Sequence, residues 1–321
     1  MSSYLQGRGI HVDKHLSNVA LNYRPSGFVA DKVFPTVSVQ KQSDMILTYN
    51  QGDLWRRENT KRSRGTMANK ISFQVSSTSY YAENYALSAG VTIEDRANAD
   101  AALVRSLEEG RVNRLLDSLM LDWEVRVAAQ ATNTSNVGTS AAVGSAWTDL
   151  TNSDPLSDIR AMYDNVEAIT GYTPNKILFS GDSWKYFSRN STVIDKVNPS
   201  GNTGGGLNAS ATQAASLLGV EEVIIGQSFY NTAEEGIAQS LSRVWGDHVL
   251  VYFAPNAPSV EAPSFGYTLR WAAAGLPNMQ AERLPFDPRT KEDLIQVGYY
   301  QDELITASAL GALVTNVTSS T

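Results

Sequence analysis

The chain has 321 residues, 42% of them hydrophobic and 18% charged, with a formal net charge of -7. That balance belongs to a folded protein large enough for two domains and excludes a disordered chain, while the absence of Cys excludes a disulfide framework and a thiolate zinc site. The N-terminal "MSSYLQGRGIHVDKHL" has no apolar h-region, and no apolar run approaches the roughly 20 residues of a membrane span, so a soluble chain made in a cytoplasm is expected.

Residues 1–45 show little helical periodicity. His11 and His15 have i, i+4 spacing, but no Glu of the metalloprotease type stands between them, so no metal site is assigned. In "GFVADKVFPTVSVQKQ" the apolar Phe28, Val33, Phe34, Val37 and Val39 surround Pro35, which removes a ladder donor. The segment therefore reads as an extended arm with a short edge strand. It cannot cover its own apolar residues, so Phe28, Val33, Phe34 and Val37 are expected to lie on another surface.

Residues 46–93 pattern as a long β-hairpin. "ILTYNQGDLW" leads out, and "KISFQVSSTSYYA" leads back with Ile71, Phe73 and Val75 at period two. Between them "LWRRENTKRSRGT" gathers Arg56, Arg57, Lys61, Arg62 and Arg64 against Glu58 alone. Residues 54–70 carry a net +5, which leaves -12 on the rest of the chain. A cationic stretch next to Trp55 could hold phosphates and stack a base, but a nucleic-acid domain shows a broad basic face, and this chain is acidic elsewhere. A hairpin of this kind is marginal alone and needs contact with something else.

Residues 97–132 form the clearest element, a long helix whose face Val112, Leu116, Leu119, Trp123 and Val127 recurs at steps of three and four. Arg105 with Glu109 and Asp122 with Arg126 are i, i+4 pairs assigned to a solvated outer face. About 30 residues make a helix of roughly 45 Å, long for a globular protein. The Gly- and Ser-rich "TSNVGTSAAVGSAW" follows as a loop. Asp154-Pro155 then opens a helix with Ile159, Met162, Tyr163, Val166 and Ile169 on one face, ended by Gly171.

"NKILFSGDSWKYF" reads as strand, turn and helix. Ser183 on that turn suggests a hydrolase nucleophile, with His248 as the one base available downstream. The sequence is not Gly-x-Ser-x-Gly, however, and Asp182 or Ser183 capping the helix accounts for it better. "GNTGGG" lacks the Gly-Lys-Ser/Thr ending of a phosphate loop and reads as a surface loop. Glu108–Glu109 and Glu221–Glu222 are adjacent pairs whose members point apart, so they are assigned as solvated or inter-subunit charges. "NASATQAASLLG", "VEEVIIG" and "DHVLVYFAP" complete an α/β unit. From Phe265 the runs "FGYTLRW", "EDLIQVGYYQDEL" and "ITASALGALVTNV" read as three strands with turns between, an α+β arrangement.

This order of parts resembles the major capsid proteins of tailed bacteriophages, the HK97-like fold. The likeness is carried by "GFVADKVFPTVSV" (27–39), "GDLWRRENTKRSRGTMAN" (52–69), "YALSAGVTIEDRANAD" (85–100) and "TPNKILFSGDSW" (173–184). It implies an N-terminal arm over 1–45 and an extended hairpin, the E-loop, over 46–96. A peripheral domain with the spine helix would span 97–153 and 264–321, and an axial α/β domain 154–263. It further implies a non-enzymatic shell subunit without cofactor or metal, assembling as pentamers and hexamers into an icosahedral virion capsid around double-stranded DNA. Assembly would take place in the host bacterial cytoplasm, with scaffolding, portal and cement proteins as further partners and no membrane. The E-loop residues Leu54, Trp55, Arg56, Arg57, Lys61, Arg62 and Arg64 and the arm residues Phe28, Val33, Phe34 and Val37 would meet a neighbouring subunit, and Gly201, Gly204, Gly205 and Gly206 would border the axial pore. An encapsulin-like compartment shell is the alternative from the same fold, and an α/β hydrolase using Ser183 the alternative from another class.

Overall fold

The structure is a computed structural model. It describes residues 11–12, 27–49, 57, 59–71, 75–98, 101–197, 208–272, 279–286, 289 and 291–318. After β1 (His11–Val12) the chain makes one helical turn, α1 (Ala30–Val33), then β2 (Thr36–Val39). The hairpin strands β3 (Ser43–Tyr49) and β4 (Val75–Tyr81) follow, paired antiparallel from Ser43↔Tyr81 to Tyr49↔Val75. The return limb begins at Val75; Ile71 is exposed and irregular, and Phe73 lies outside the described residues. Residues 83–92, expected to prolong the hairpin, form a separate strand β5 (Glu83–Thr92).

A short helix precedes the predicted long one. Thr92 caps α2 (Ile93–Ala97) by accepting from the Asp95 N–H at 3.1 Å, and α3 (Ala101–Ala131) runs on for 31 residues, about 46 Å at 1.5 Å per residue. Val112, Leu116, Leu119, Trp123 and Val127 are all buried, as their spacing requires.

Then come β6 (Thr139–Ala142), α4 (Pro155–Thr170), β7 (Lys176–Ser180), α5 (Gly181–Phe187), α6 (Ser191–Val197), α7 (Ala211–Leu218) and β8 (Glu222–Gly226). Asp154 caps α4 and Gly171 ends it at φ 70°, a left-handed conformation that glycine adopts without strain. Ile159, Met162 and Val166 are buried on this helix, but Ile169 is exposed, one step beyond the covered face. A small hairpin, β9 (Phe229–Asn231) and β10 (Leu241–Arg243), precedes β11 (Val249–Tyr252). The chain continues through β12 (Gly266–Trp271), β13 (Gln280–Arg283), β14 (Glu292–Ile305) and β15 (Gly311–Thr315).

Two sheets organise the body. In the first, β14 pairs with β5 along one edge and with β12 and β13 along the other; β2 joins β12 in parallel and β1 joins β13. Alternate residues of β14 (Ile295, Val297, Tyr299, Gln301, Glu303) are buried, the period-two signature of a strand with one covered face. Helix α3 packs on β14 and β5. The second sheet has the order β6-β15-β11-β7-β8. The sequence placed 311–315 beside the other late strands, but β15 instead pairs with β11 and β6, because its buried Ala312, Leu313 and Val314 complete that core. Helices α4 and α7 cover one face of this sheet, and α3 with the arm lies on the other.

Candidate assembly surfaces

The root of the long hairpin is fastened to the body. Ile46 and Tyr80 are buried with Tyr267 and Leu269 of β12. The Tyr80 hydroxyl donates to Lys41 O at 3.1 Å, the Tyr81 N–H donates to Asp302 Oδ2 at 2.9 Å, and the Trp271 indole donates to Gln40 O at 3.1 Å. Seven paired residues per limb carry the chain outward by about 23 Å.

Beyond the strands, residues 57 and 59–71 are exposed throughout. The tip folds on itself: Arg62 Nε donates to Thr66 O at 2.6 Å, Asn69 Nδ2 donates to Asn59 O at 2.7 Å, and Gly65 turns at φ 78°. Arg57, Lys61, Arg62 and Arg64 all stand on this exposed tip, together with Lys70, and none forms an ion pair with another described residue. Leu54, Trp55 and Arg56, and the glycines 201, 204, 205 and 206, lie outside the described residues.

Beside the hairpin root is a concavity of about 690 Å³ holding Glu83, Asp302 and Glu303 against Arg126. Burial pushes the Asp302 carboxyl up from its usual range. Arg126, expected on a solvated face, is partly buried here. It grips Glu303 through Nη2 at 3.0 Å and Nε at 3.3 Å, pairs with Asp122, and stacks over the Tyr85 ring at 3.7 Å. Burial raises the Tyr85 hydroxyl to about 12.

The arm departs from expectation. Val33 and Phe34 are 0% exposed inside this chain's own core, where Phe34 meets Phe265 edge-on at 5.8 Å. Phe28 and Val37 are partly buried against the same body. The cause is a carboxylate that sequence reasoning passed over. Glu124 of α3, 0% exposed, accepts the Val29 and Ala30 N–H groups on Oε2 at 2.9 and 2.7 Å, capping α1 where Val29 offers no side-chain cap. Its Oε1 accepts from the Trp245 indole at 2.5 Å and the Ser228 hydroxyl at 3.2 Å. Burial pushes this carboxyl up, and the donors, Trp245 foremost, pull it back. Met120, Glu124 and Ala128 are buried and follow one another at steps of four; a Glu inside an apolar stripe was the available signal.

The acidic pairs are likewise partly engaged within the chain: Glu108 bonds Arg283 at 2.8 Å and Glu222 bonds Lys32 at 2.6 Å. At the Ser183 turn, Ser180 is the helix cap rather than Asp182 or Ser183, and Asp182 pairs with Arg243. Ser183 is 0% exposed, and its hydroxyl donates to the His248 main-chain oxygen at 3.2 Å instead of meeting the imidazole. That arrangement does not present a nucleophile to a substrate.

No family model matches the chain. The major capsid protein of Pseudomonas phage JBD67 is 24% identical over 311 residues, 95% of this chain and 96% of that protein. Among solved structures, a phage-related protein of Bordetella bronchiseptica RB50 superposes with TM-score 0.76 at 24% identity, covering 96% of this chain and 97% of its own. The capsid of Cyanophage P-SCSP1u gives TM-score 0.57 at 12% identity, covering 91% and 88%.

The chain has the HK97-like fold of phage major capsid proteins. In this capsid fold the β3–β4 hairpin is the E-loop and α3 the spine helix, and the role of the chain is structural, that of a capsid shell protein. Several exposed apolar side chains, Met45, Met67, Ile71, Tyr81 and Leu87, lie on the E-loop or on β5.

Proposed function

We propose that copies of this chain assemble as pentamers and hexamers into an icosahedral virion shell enclosing double-stranded DNA, each E-loop lying over a neighbouring copy. Residues 1–42 then serve as arm, the β3–β4 hairpin with its tip as E-loop, α3 with the sheet around β14 as peripheral domain, and 154–263 with β6 and β15 as axial domain. The observation that supports this most is the E-loop tip, whose five cations form no ion pair with any described residue of their own chain. It lies beyond strands of seven paired residues, which reach about 23 Å from the hairpin root. The concavity beside the hairpin root, edged by Glu83 and Asp302, is a complementary surface for that tip on the next copy. Contacts between unlike patches of identical subunits close into rings, and opposite potentials guide the register.

Each exposed pair contributes at most about 1 kcal/mol. Burial of the exposed apolar side chains along the E-loop must therefore supply most of the affinity. The decisive test is Arg57→Glu, Arg62→Glu and Arg64→Glu combined, judged by electron microscopy and thermal melting. Subunits that melt as wild type but form no regular particles support the proposal; normal particles overturn it. Tight, steeply salt-dependent DNA binding by unassembled wild-type subunits would instead assign the tip to nucleic acid.

A further inference from the structure

Two segments of this molecule are fixed at one buried point. The arm is held there at Val29–Ala30, the start of α1. The β9–β10 hairpin departs between Ser228 and Trp245, its root closed by the Val244 N–H donating to Ser228 O at 3.1 Å. That hairpin shows Phe229, Ile237 and Leu241 to solvent at 48, 66 and 60% exposure, an apolar display of the kind that marks contact sites. Trp245 at its root is 1% exposed and lies so close over Gly226 that an added Cβ there would sit 2.3 Å from the ring. Both segments end on Glu124, with the Val29–Ala30 turn on Oε2 and the hairpin root on Oε1.

We propose that Glu124 couples the arm to the 229–243 hairpin, so that a neighbour displacing one segment loosens the hold on the other. The coupling rests on the reading that copies pack around each other; the chemistry itself is internal to one chain. A buried carboxylate is tolerated because donors meet its charge. Four donors share one rigid group here, two on each oxygen. If the pair on one oxygen withdraws, the charge left behind is half-compensated. The carboxylate must then turn or admit water, and either response moves the oxygen that fixes the other segment. A coupling of this kind is reciprocal.

Hydrogen exchange on the full, unassembled chain tests it. Trp245→Phe keeps most of the ring and deletes one donor from Oε1; Ser228→Ala deletes the other and disturbs packing less. The expected result is that exchange of the Val29 and Ala30 amides, which face the opposite oxygen, speeds up by about tenfold or more, the effect of one hydrogen bond to a charged group. Strands β7 and β11 should stay as protected as in wild type. Exchange that rises only within 228–245 overturns the coupling. Should Trp245→Phe loosen β7 and β11 as well, Ser228→Ala decides alone: faster exchange at Ala30 with an intact core supports the coupling, and no change there overturns it. None of this depends on whether particles form, so failure of the coupling and failure of the shell proposal are separately visible.

Discussion

Glu124, buried outright, and His248, partly buried, are two ionisable groups held in opposite ways. Glu124 has a donor for each of its principal lone pairs. The His248 Nδ1 is buried without a hydrogen-bond partner, and burial pushes the imidazole below its usual pKa, with Asp247 pulling weakly the other way. The unfolded chain takes up a proton near pH 6.5 that the native protein still refuses. Below that pH the unfolded state binds more protons, so stability drops as pH falls through the window between the two values. Relative to His248→Asn, the wild-type melting temperature should therefore decline between about pH 7 and pH 5; parallel curves for the two proteins would contradict this. Neither environment was readable from the sequence. A carboxylate or an imidazole reveals its surroundings only when elements distant in the chain close over it, and Glu124 is surrounded by residues about a hundred positions away on either side.

Elements built from local periodicity were readable. The apolar face of α3, the Asp154-Pro155 opening and Gly171 ending of α4, and the strand–turn–helix at 176–187 follow from spacing and capping chemistry within a few residues. The destination of the arm was not readable, because Val33 and Phe34 find their partners through Phe265 and Glu124 rather than through neighbours in the chain. Gly266 records the closeness of that contact: a Cβ there would fall 2.5 Å from the Phe34 ring. The arm is consequently part of the subunit's own stability. Phe34→Ala should cost about 3–5 kcal/mol in denaturant unfolding of unassembled subunits, whereas a residue reserved for a neighbour would leave that measurement unchanged.

At the scale of the whole molecule, charge is divided between a net +5 over residues 54–70 and -12 elsewhere. Exposed charges more than about 10 Å apart are screened at 0.1 M salt. Light scattering should accordingly show assembly slowing as salt rises from about 0.05 M to about 0.5 M.

The position of β15 has a consequence for the order of events during synthesis. Residues 311–315 leave the ribosome after every other strand of their sheet, yet they sit between β6 and β11. Until they arrive, β6 has no ladder partner among the described strands, and one edge of β11 stands open. A nascent chain can form its spine helix early, since helices close locally, but the sheet beneath must wait. An unfinished chain is thus kept from displaying a completed body to its sisters, and translation itself sets the earliest moment at which a subunit is fit to be recruited.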